Sequence, residues 1–139
     1  MTDINQTNKI LRNIISPLER DEFFSDFYEQ KPCYIPHNSS QQFAHLISIE
    51  KLDQLIASSE LPPSSIDMAR SEPPISKAHF TFKSGNIDRG AVIRHYQNGA
   101  TIIFPQLNLA VEELADFCRS FEYDLSCKVQ SNVYLTPQS

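Results

Sequence analysis

Glycine, long apolar runs and paired cysteines are all scarce in this sequence of 139 residues. Only Gly85, Gly90 and Gly99 are available, and none stands in a Gly-rich loop followed by Lys and Ser or Thr, so nucleotide hydrolysis is not supported. The apolar runs span only a few residues, and the segment Met1 to Lys9 is polar. We therefore expect neither membrane insertion nor a signal peptide.

The cysteines indicate the cellular compartment of the protein, and the net charge indicates which partners are disfavoured. Cys33, Cys118 and Cys127 are odd in number, far apart and without CxxC spacing, which favours reduced thiols over a disulfide framework. A net charge of -5 and a pI near 5.3 disfavour direct nucleic-acid binding. The prediction is a cytoplasmic protein, or a nuclear one in a eukaryote, with no membrane contact.

Length and composition predict one domain over residues 1–139, mainly helical over 1–60 and mixed over 61–139. Its helix starts are marked by caps: Ser16-Pro17-Leu18-Glu19 has the pattern of a capping box, and the Lys31-Pro32 step should end that helix. Four other helices are predicted. The first spans Ser39 to Ile47, and the second begins after Ser48. The third runs from Asp88 to a stop at Gly99, and the fourth begins near Asn108 and runs to Leu125.

Alternating or β-branched segments predict the strands. These segments are Cys33 to Ile35, Ser65 to Arg70, Lys77 to Lys83, Ala100 to Phe104 and Lys128 to Pro137.

The last strand separates two faces. Val129, Ser131, Val133 and Leu135 alternate with a hydrogen-bonding set, which is Gln130, Asn132, Tyr134 and Thr136. One interpretation is a half-exposed strand with its polar side in water. The other places the polar face inside a small β-barrel, where it lines a ligand site.

Three stretches together resemble a known family. Residues 131–137, SNVYLTP, follow residues 96–101, YQNGAT, and the long helix, in an order similar to the JmjC/cupin-like oxygenases, which include the ribosomal oxygenases. The Ser16-Pro17 helix followed by Lys31-Pro32 resembles the opening of that group. The implied fold is α+β, with N-terminal helices packed on the opening strands of an incomplete double-stranded β-helix of the jelly-roll, cupin-like type.

The resemblance also implies cofactors and site residues. Complete family members hold Fe(II) with a His-x-Asp pair and a later His, and use 2-oxoglutarate and oxygen. Asn132 matches the strand asparagine directed toward the iron and cosubstrate, Tyr134 matches a tyrosine of the substrate pocket, and Thr136 shares their face. No His-x-Asp or His-x-Glu occurs in this sequence. We therefore expect the chain to bind neither cofactor alone and to stop before the metal ligands.

Other constellations are weaker. Cys33, His37 and His45 do not have the tight four-ligand spacing of a structural zinc site. His95 with Cys118 or Cys127 has no signature of a thiol nucleophile pair. The carboxylates at the start of the last helix, which suit the helix dipole without any acid or base role, are Glu112, Glu113 and Asp116.

Two classes of function remain open. The first is the N-terminal fragment of a hydroxylase that acts on a protein or peptide side chain and is inactive alone. The second is a noncatalytic protein-interaction module, or one half of a split oxygenase completed by another chain. A homo-oligomer or a complementing chain is an expected partner in the second class.

Overall fold

The structure, a computed structural model, describes residues 4–58 and 60–139, with side chains from residue 9 onward. Its helices, short helical turns and strands, in chain order, are α1 Ile4–Ile15, α2 Arg20–Glu22 widening into a π-turn Phe23–Phe27, α3 Ile49–Ile56, β1 Asp67–Ala69, a 3-10 turn Lys77–Phe80, α4 Arg89–Gln97, β2 Thr101–Phe104, a 3-10 turn Leu107–Leu109, α5 Glu112–Leu125 and β3 Val133–Leu135. The predicted α+β class is confirmed.

The strands of the described chain form one antiparallel sheet in the order β1-β2-β3. Ile102 of β2 stands between Met68 of β1 and Leu135 of β3, and the next row joins Asp67, Ile103 and Tyr134. Because side chains alternate along a strand, these two rows point to opposite faces of the sheet.

The core lies on the face of Met68 and Ile102. Both side chains are buried, and Phe104 and Phe80 are buried against them. The remaining buried members of this cluster are Leu52, Ile56, Leu61, Ile66, Ile87, Ala91, Val92, Ala100, Leu107, Val111 and Leu114. Helices α3, α4 and α5 therefore cover one face of the sheet.

Several predicted boundaries are confirmed by their hydrogen bonds. The Ser48 hydroxyl accepts from the Lys51 amide at 3.1 Å, and the Asp88 carboxylate accepts from the Ala91 amide at 3.1 Å. Gly99 has a φ of +93° just after α4, the left-handed conformation that glycine adopts without strain. Local cap chemistry thus sets the start of α3 and both ends of α4.

The predicted capping box at Ser16 is wrong. The amides of Ser16 and Leu18 donate to the carbonyls of Arg12 and Ile15, so these residues form the turn that ends α1. The next helix begins only at Arg20. Helix α1 was not predicted, although Leu11 and Ile15 are four residues apart and both buried.

Other predicted elements differ because side chains bond the backbone in competing ways. Residues 33–35 belong to no strand of the described chain, and residues 40–46 form turns rather than a helix. Residues 77–80 form a 3-10 turn because Ser76 and His79 cap each other reciprocally. The long helix starts after Val111, since Asn108 belongs to the preceding 3-10 turn.

The last strand is shorter than predicted. The Val129 amide donates to Glu122 of α5 and the Ser131 amide donates to Asn108, so residues before Asn132 bond to helices rather than to β2. Strand pairing is therefore limited to Val133–Leu135.

None of the helices that the structure describes is both long and apolar enough to cross a membrane. The prediction of no signal peptide in Met1 to Lys9 falls partly on residues 1–3, which lie outside the described residues.

Candidate functional site

The open face of the sheet, the face opposite the core, carries Tyr134 and Thr136. Tyr134 lies beside Ile103 and retains 62% exposure, whereas its neighbours Val133 and Leu135 pack against the core. The hydroxyls of Thr136 and Thr101 lie 3.0 Å apart and share a hydrogen bond across the strands. The predicted alternation of β3 is thus present in the fold.

Asn132 is held at the end of β3 by backbone contacts. Its Oδ1 accepts from the Gln106 amide at 2.9 Å, in a turn where Gln106 has a left-handed φ of 47°. Beside it, the Leu107 amide donates to the Ser131 carbonyl at 2.8 Å. This contact uses one of the two lone pairs of the Asn132 side-chain oxygen, and the amide nitrogen has two further hydrogens to donate.

The three predicted site residues lie along one strand rather than in one cluster. Successive same-face residues of a strand are separated by about 7 Å, so Tyr134 stands between Asn132 and Thr136. All three are exposed. They lie in a row on one exposed surface of the described chain.

A cavity that the sequence did not predict opens at the same end of the sheet as Asn132. Its volume is about 470 Å³, and Gln106, whose amide Asn132 binds, is one of its lining residues. The apolar part of the lining is Leu55, Leu61, Pro62, Ile66, Phe104, Pro105, Leu107, Leu109 and Ala110. Pro62, Pro63 and the serines that follow indicate a loop in the sequence. Only the fold shows that this loop lies against the turn after β2.

The remaining candidate residues do not form a catalytic group. Cys118 is buried, whereas Cys127 is exposed, and both are free thiols. His95 Nε2 lies 3.2 Å from the carbonyl oxygen of His79, rather than beside a thiol. Asp116 pairs with Arg119 one turn along α5, on the exposed surface. These residues have structural or solvated roles.

The pKa of the Tyr28 side chain is raised above its ordinary value. Partial burial raises the pKa of the Tyr28 phenol above 10.0, and the Cys127 thiol and the Glu29 carboxylate act in the same direction. The group lies at the junction of the π-turn and the segment after α5, away from the open face.

Comparison with known proteins gives relatives of low sequence identity. No protein family model matches the chain. The curated proteins it resembles carry the name bifunctional lysine-specific demethylase and histidyl-hydroxylase NO66. The Drosophila grimshawi protein is 26% identical over 129 residues, which cover 92% of this chain and 18% of that protein. The chain is a homologue of the JmjC-type NO66 oxygenases.

Two further NO66 relatives give the same result. The Drosophila willistoni protein is 27% identical over 135 residues, or 96% of this chain and 17% of that protein. The Drosophila persimilis protein is 27% identical over 130 residues, which cover 93% of this chain and 19% of that protein. The predicted resemblance is confirmed, and the chain spans less than a fifth of the length of these NO66 relatives.

The residues at hand do not fit the iron centre expected of the JmjC group. Across residues 4–58 and 60–139, no group of three or more His, Cys, Asp and Glu side chains could hold a metal ion. The rings of His79 and His95 are neighbours, with centroids 6.2 Å apart. His79 Nδ1 already accepts from the Ser76 amide, and His37 Nε2 bonds the Ile14 carbonyl oxygen at 2.8 Å. These contacts leave no facial triad.

Proposed function

We propose that this chain forms the helical part and first strands of a JmjC/cupin-like Fe(II) and 2-oxoglutarate oxygenase. The complete protein would hydroxylate a protein or peptide side chain, in the cytoplasm or nucleus. The observation that carries the proposal is homology to NO66 over more than nine tenths of the chain.

The sheet supports a role as one pocket wall of a cupin-like barrel. Among the described strands, β1 and β3 each have one neighbour, so both edges of the sheet are free to accept further strands. The open face has a hydrogen-bonding lining in Tyr134, Thr136 and Thr101. A barrel closed by more strands would turn this lining inward, where it could orient a substrate.

Each predicted site residue has a proposed role. Asn132 would offer its amide nitrogen to the cosubstrate, while its oxygen holds the β2 turn through Gln106. Tyr134 and Thr136 would contact the substrate through hydroxyl groups, which can donate and accept without competing for a metal. The iron ligands would come from residues outside 4–58 and 60–139, and the chain alone would not catalyse hydroxylation.

A pair of calorimetric titrations tests this proposal. Mn(II), a redox-inactive substitute for iron, and 2-oxoglutarate are titrated into the chain alone and into the chain co-expressed with the part of the D. grimshawi protein that the alignment does not cover. We expect stoichiometric binding only in the second sample. Stoichiometric binding by the chain alone, or none in the complex, would contradict the proposal.

A noncatalytic interaction module is the alternative, and the exposed apolar side chains favour it. Tyr34 is 89% exposed, Leu109 is 78% exposed and Ile49 is 68% exposed. Exposed apolar side chains that form one contiguous patch are typical of contact with a partner protein or a second chain. A monodisperse monomer in which every β3 amide resists hydrogen exchange would favour this module, since a barrel fragment leaves one edge of β3 open to water.

A further inference from the structure

The two outer edges of the sheet differ in their backbone contacts. At β1, the Lys77 ammonium donates to the Ile66 carbonyl at 2.6 Å. One residue further along, the Asp67 carboxylate accepts from the Met68 amide at 2.8 Å. These two backbone groups bond side chains rather than β2, so they lie on the outer side of the strand. A strand added at β1 would have to displace both contacts.

The outer edge of β3 carries no such contacts. Residues of an antiparallel strand bond to its two sides alternately, and the register of the sheet carries this alternation from β1 to Val133 and Leu135, which bond β2. The backbone N–H and C=O groups of Asn132, Tyr134 and Thr136 consequently point away from the sheet. Within residues 4–58 and 60–139 these groups form no hydrogen bond, so the edge is open for pairing.

The core is also less complete at β3 than at β1. Met68 of β1 is 5% exposed, whereas Val133 and Leu135 of β3 pack against the same core and are only partly buried. No charged residue occurs from Gln130 to Ser139, although edge strands are commonly protected from pairing by charged side chains. A further strand at β3 would therefore cover apolar surface and meet no charge.

The sequence around Tyr134 is complementary to itself. Apolar Val133 and Leu135 flank this residue, and the polar residues Asn132 and Thr136 follow on either side. In an antiparallel pair centred on Tyr134, Val133 stands opposite Leu135 of a second copy on the core side. On the open face, Asn132 stands opposite Thr136, and both can donate and accept hydrogen bonds. A two-fold contact requires this kind of self-complementary surface.

We propose that a second copy of this chain pairs with the outer edge of β3, antiparallel and about a two-fold axis at Tyr134. The N–H and C=O groups of Tyr134 exchange hydrogen bonds with those of the second copy, and the two rings lie side by side. Each copy uses its β3 edge, and the β1 edge is engaged by Lys77 and Asp67, so assembly stops at a dimer.

The dimer is the form of the chain by itself. In the barrel proposed above, another strand would take the β3 edge. Sedimentation of the chain alone therefore tests the dimer separately from the calorimetric titrations, which test the barrel.

Analytical ultracentrifugation of the full chain from about 1 μM to about 1 mM should show a monomer that converts to a dimer. Tyr134→Lys and Tyr134→Glu each place like charges opposite each other at the axis, so each should weaken dimerisation about tenfold. An equimolar mixture of the two variants should dimerise again, because Lys then stands opposite Glu.

Tyr123 provides the matched control. It is 61% exposed on α5, compared with 62% for Tyr134, so Tyr123→Lys and Tyr123→Glu make the same charge changes away from β3. Both should dimerise like the unchanged chain. A monomer at every concentration, an assembly larger than a dimer, or equal losses in the Tyr123 variants would overturn the proposal.

Hydrogen exchange provides a second readout if the charged variants fail to fold. The Tyr134 amide should be protected in the dimer and exchange on dilution, whereas the Val133 and Leu135 amides, which bond β2, should stay protected. Tyr134→Pro removes only the outward N–H group, which an edge strand tolerates, and should abolish the dimer. A Tyr134 amide that exchanges freely in the dimer would contradict this pairing.

Discussion

The sheet with α3, α4 and α5 buries its hydrophobic side chains, whereas the segment between α1 and α3 covers its own only in part. Phe80 and Val92 have 0% exposure. Between residues 16 and 48, all of which the structure describes, no hydrophobic side chain is fully buried. Phe23, Phe24 and Tyr28 instead pack edge to ring at centroid distances of 5.3–6.0 Å.

The difference shows that an apolar stripe does not define a core by itself. The aromatic side chains of the π-turn and Tyr28 pack on each other, and the charged groups of Arg20 and Lys31 lie over the rings of Phe24 and Phe27. The strands of the sheet bring together side chains that are far apart in sequence. Stability should therefore be concentrated around the sheet, with the aromatic segment contributing less.

The largest expected effect comes from removing a ring in each region. Phe80→Ala should lower the free energy of unfolding by about 3–5 kcal/mol, because it leaves a cavity in a closed core. Phe24→Ala should cost about 1–2 kcal/mol, because part of that ring is already in contact with water. Urea unfolding of both variants measures the difference, and equal losses would show that the two regions are equally well packed.

A smaller effect separates a real helix cap from a false one. Asp88→Ala should cost about 1 kcal/mol, because the Ala91 amide loses its acceptor at the start of α4. Ser16→Ala should stay within about 0.5 kcal/mol, since its side chain caps no helix. Thermal unfolding at one pH compares the two, and a loss at Ser16 as large as that at Asp88 would restore the predicted capping box.

Substitutions of Asn132 and Tyr134, the two main residues of the proposed pocket wall, should differ in their effect on stability. Asn132→Ala should cost about 0.5–1.5 kcal/mol and speed hydrogen exchange of the Gln106 amide, which loses its acceptor. Tyr134→Phe removes an exposed hydroxyl and should leave stability unchanged. If Gln106 keeps its protection in the Asn132 variant, the side chain does not hold the β2 turn.

The smallest effect concerns Tyr28 in the aromatic segment. Its raised pKa favours the neutral phenol, so the associated stability is fully present below pH 10.0 and is lost as the pH rises through the folded-state value. NMR titration of labelled tyrosine should show the pKa moving back toward 10.0 in Cys127→Ala, because that thiol contributes to the shift. An unchanged titration would leave burial and Glu29 as the causes.

The sequence predicted the elements whose signals are local. Ser48, Asp88 and Gly99 act through neighbouring backbone groups, and their helix boundaries were predicted correctly. The apolar spacing of α5 and the β-branched run of β2 also predicted a helix and a strand at these positions. The capping box predicted at Ser16 is wrong because serine and proline occur at the ends of helices as well as at their starts. The preceding helix α1 was not predicted because most of its residues are polar.

Interactions between distant residues could not be predicted in the same way. Strand β3 is short because Glu122 and Asn108 bind the backbone before it, and these residues lie 7 and 23 positions away from their partners. Such competition depends on which groups meet in space.

By itself the sequence determined the α+β class, the main helix caps, the alternation of Tyr134 with its core-facing neighbours and the likeness to the JmjC oxygenases. Only the tertiary structure decided that Asn132 holds the turn after β2 and that Asp124 pairs with Arg20. Caps and alternation depend on contacts within a few residues. A cavity is formed by residues from separate elements, and their positions depend on how the whole chain packs.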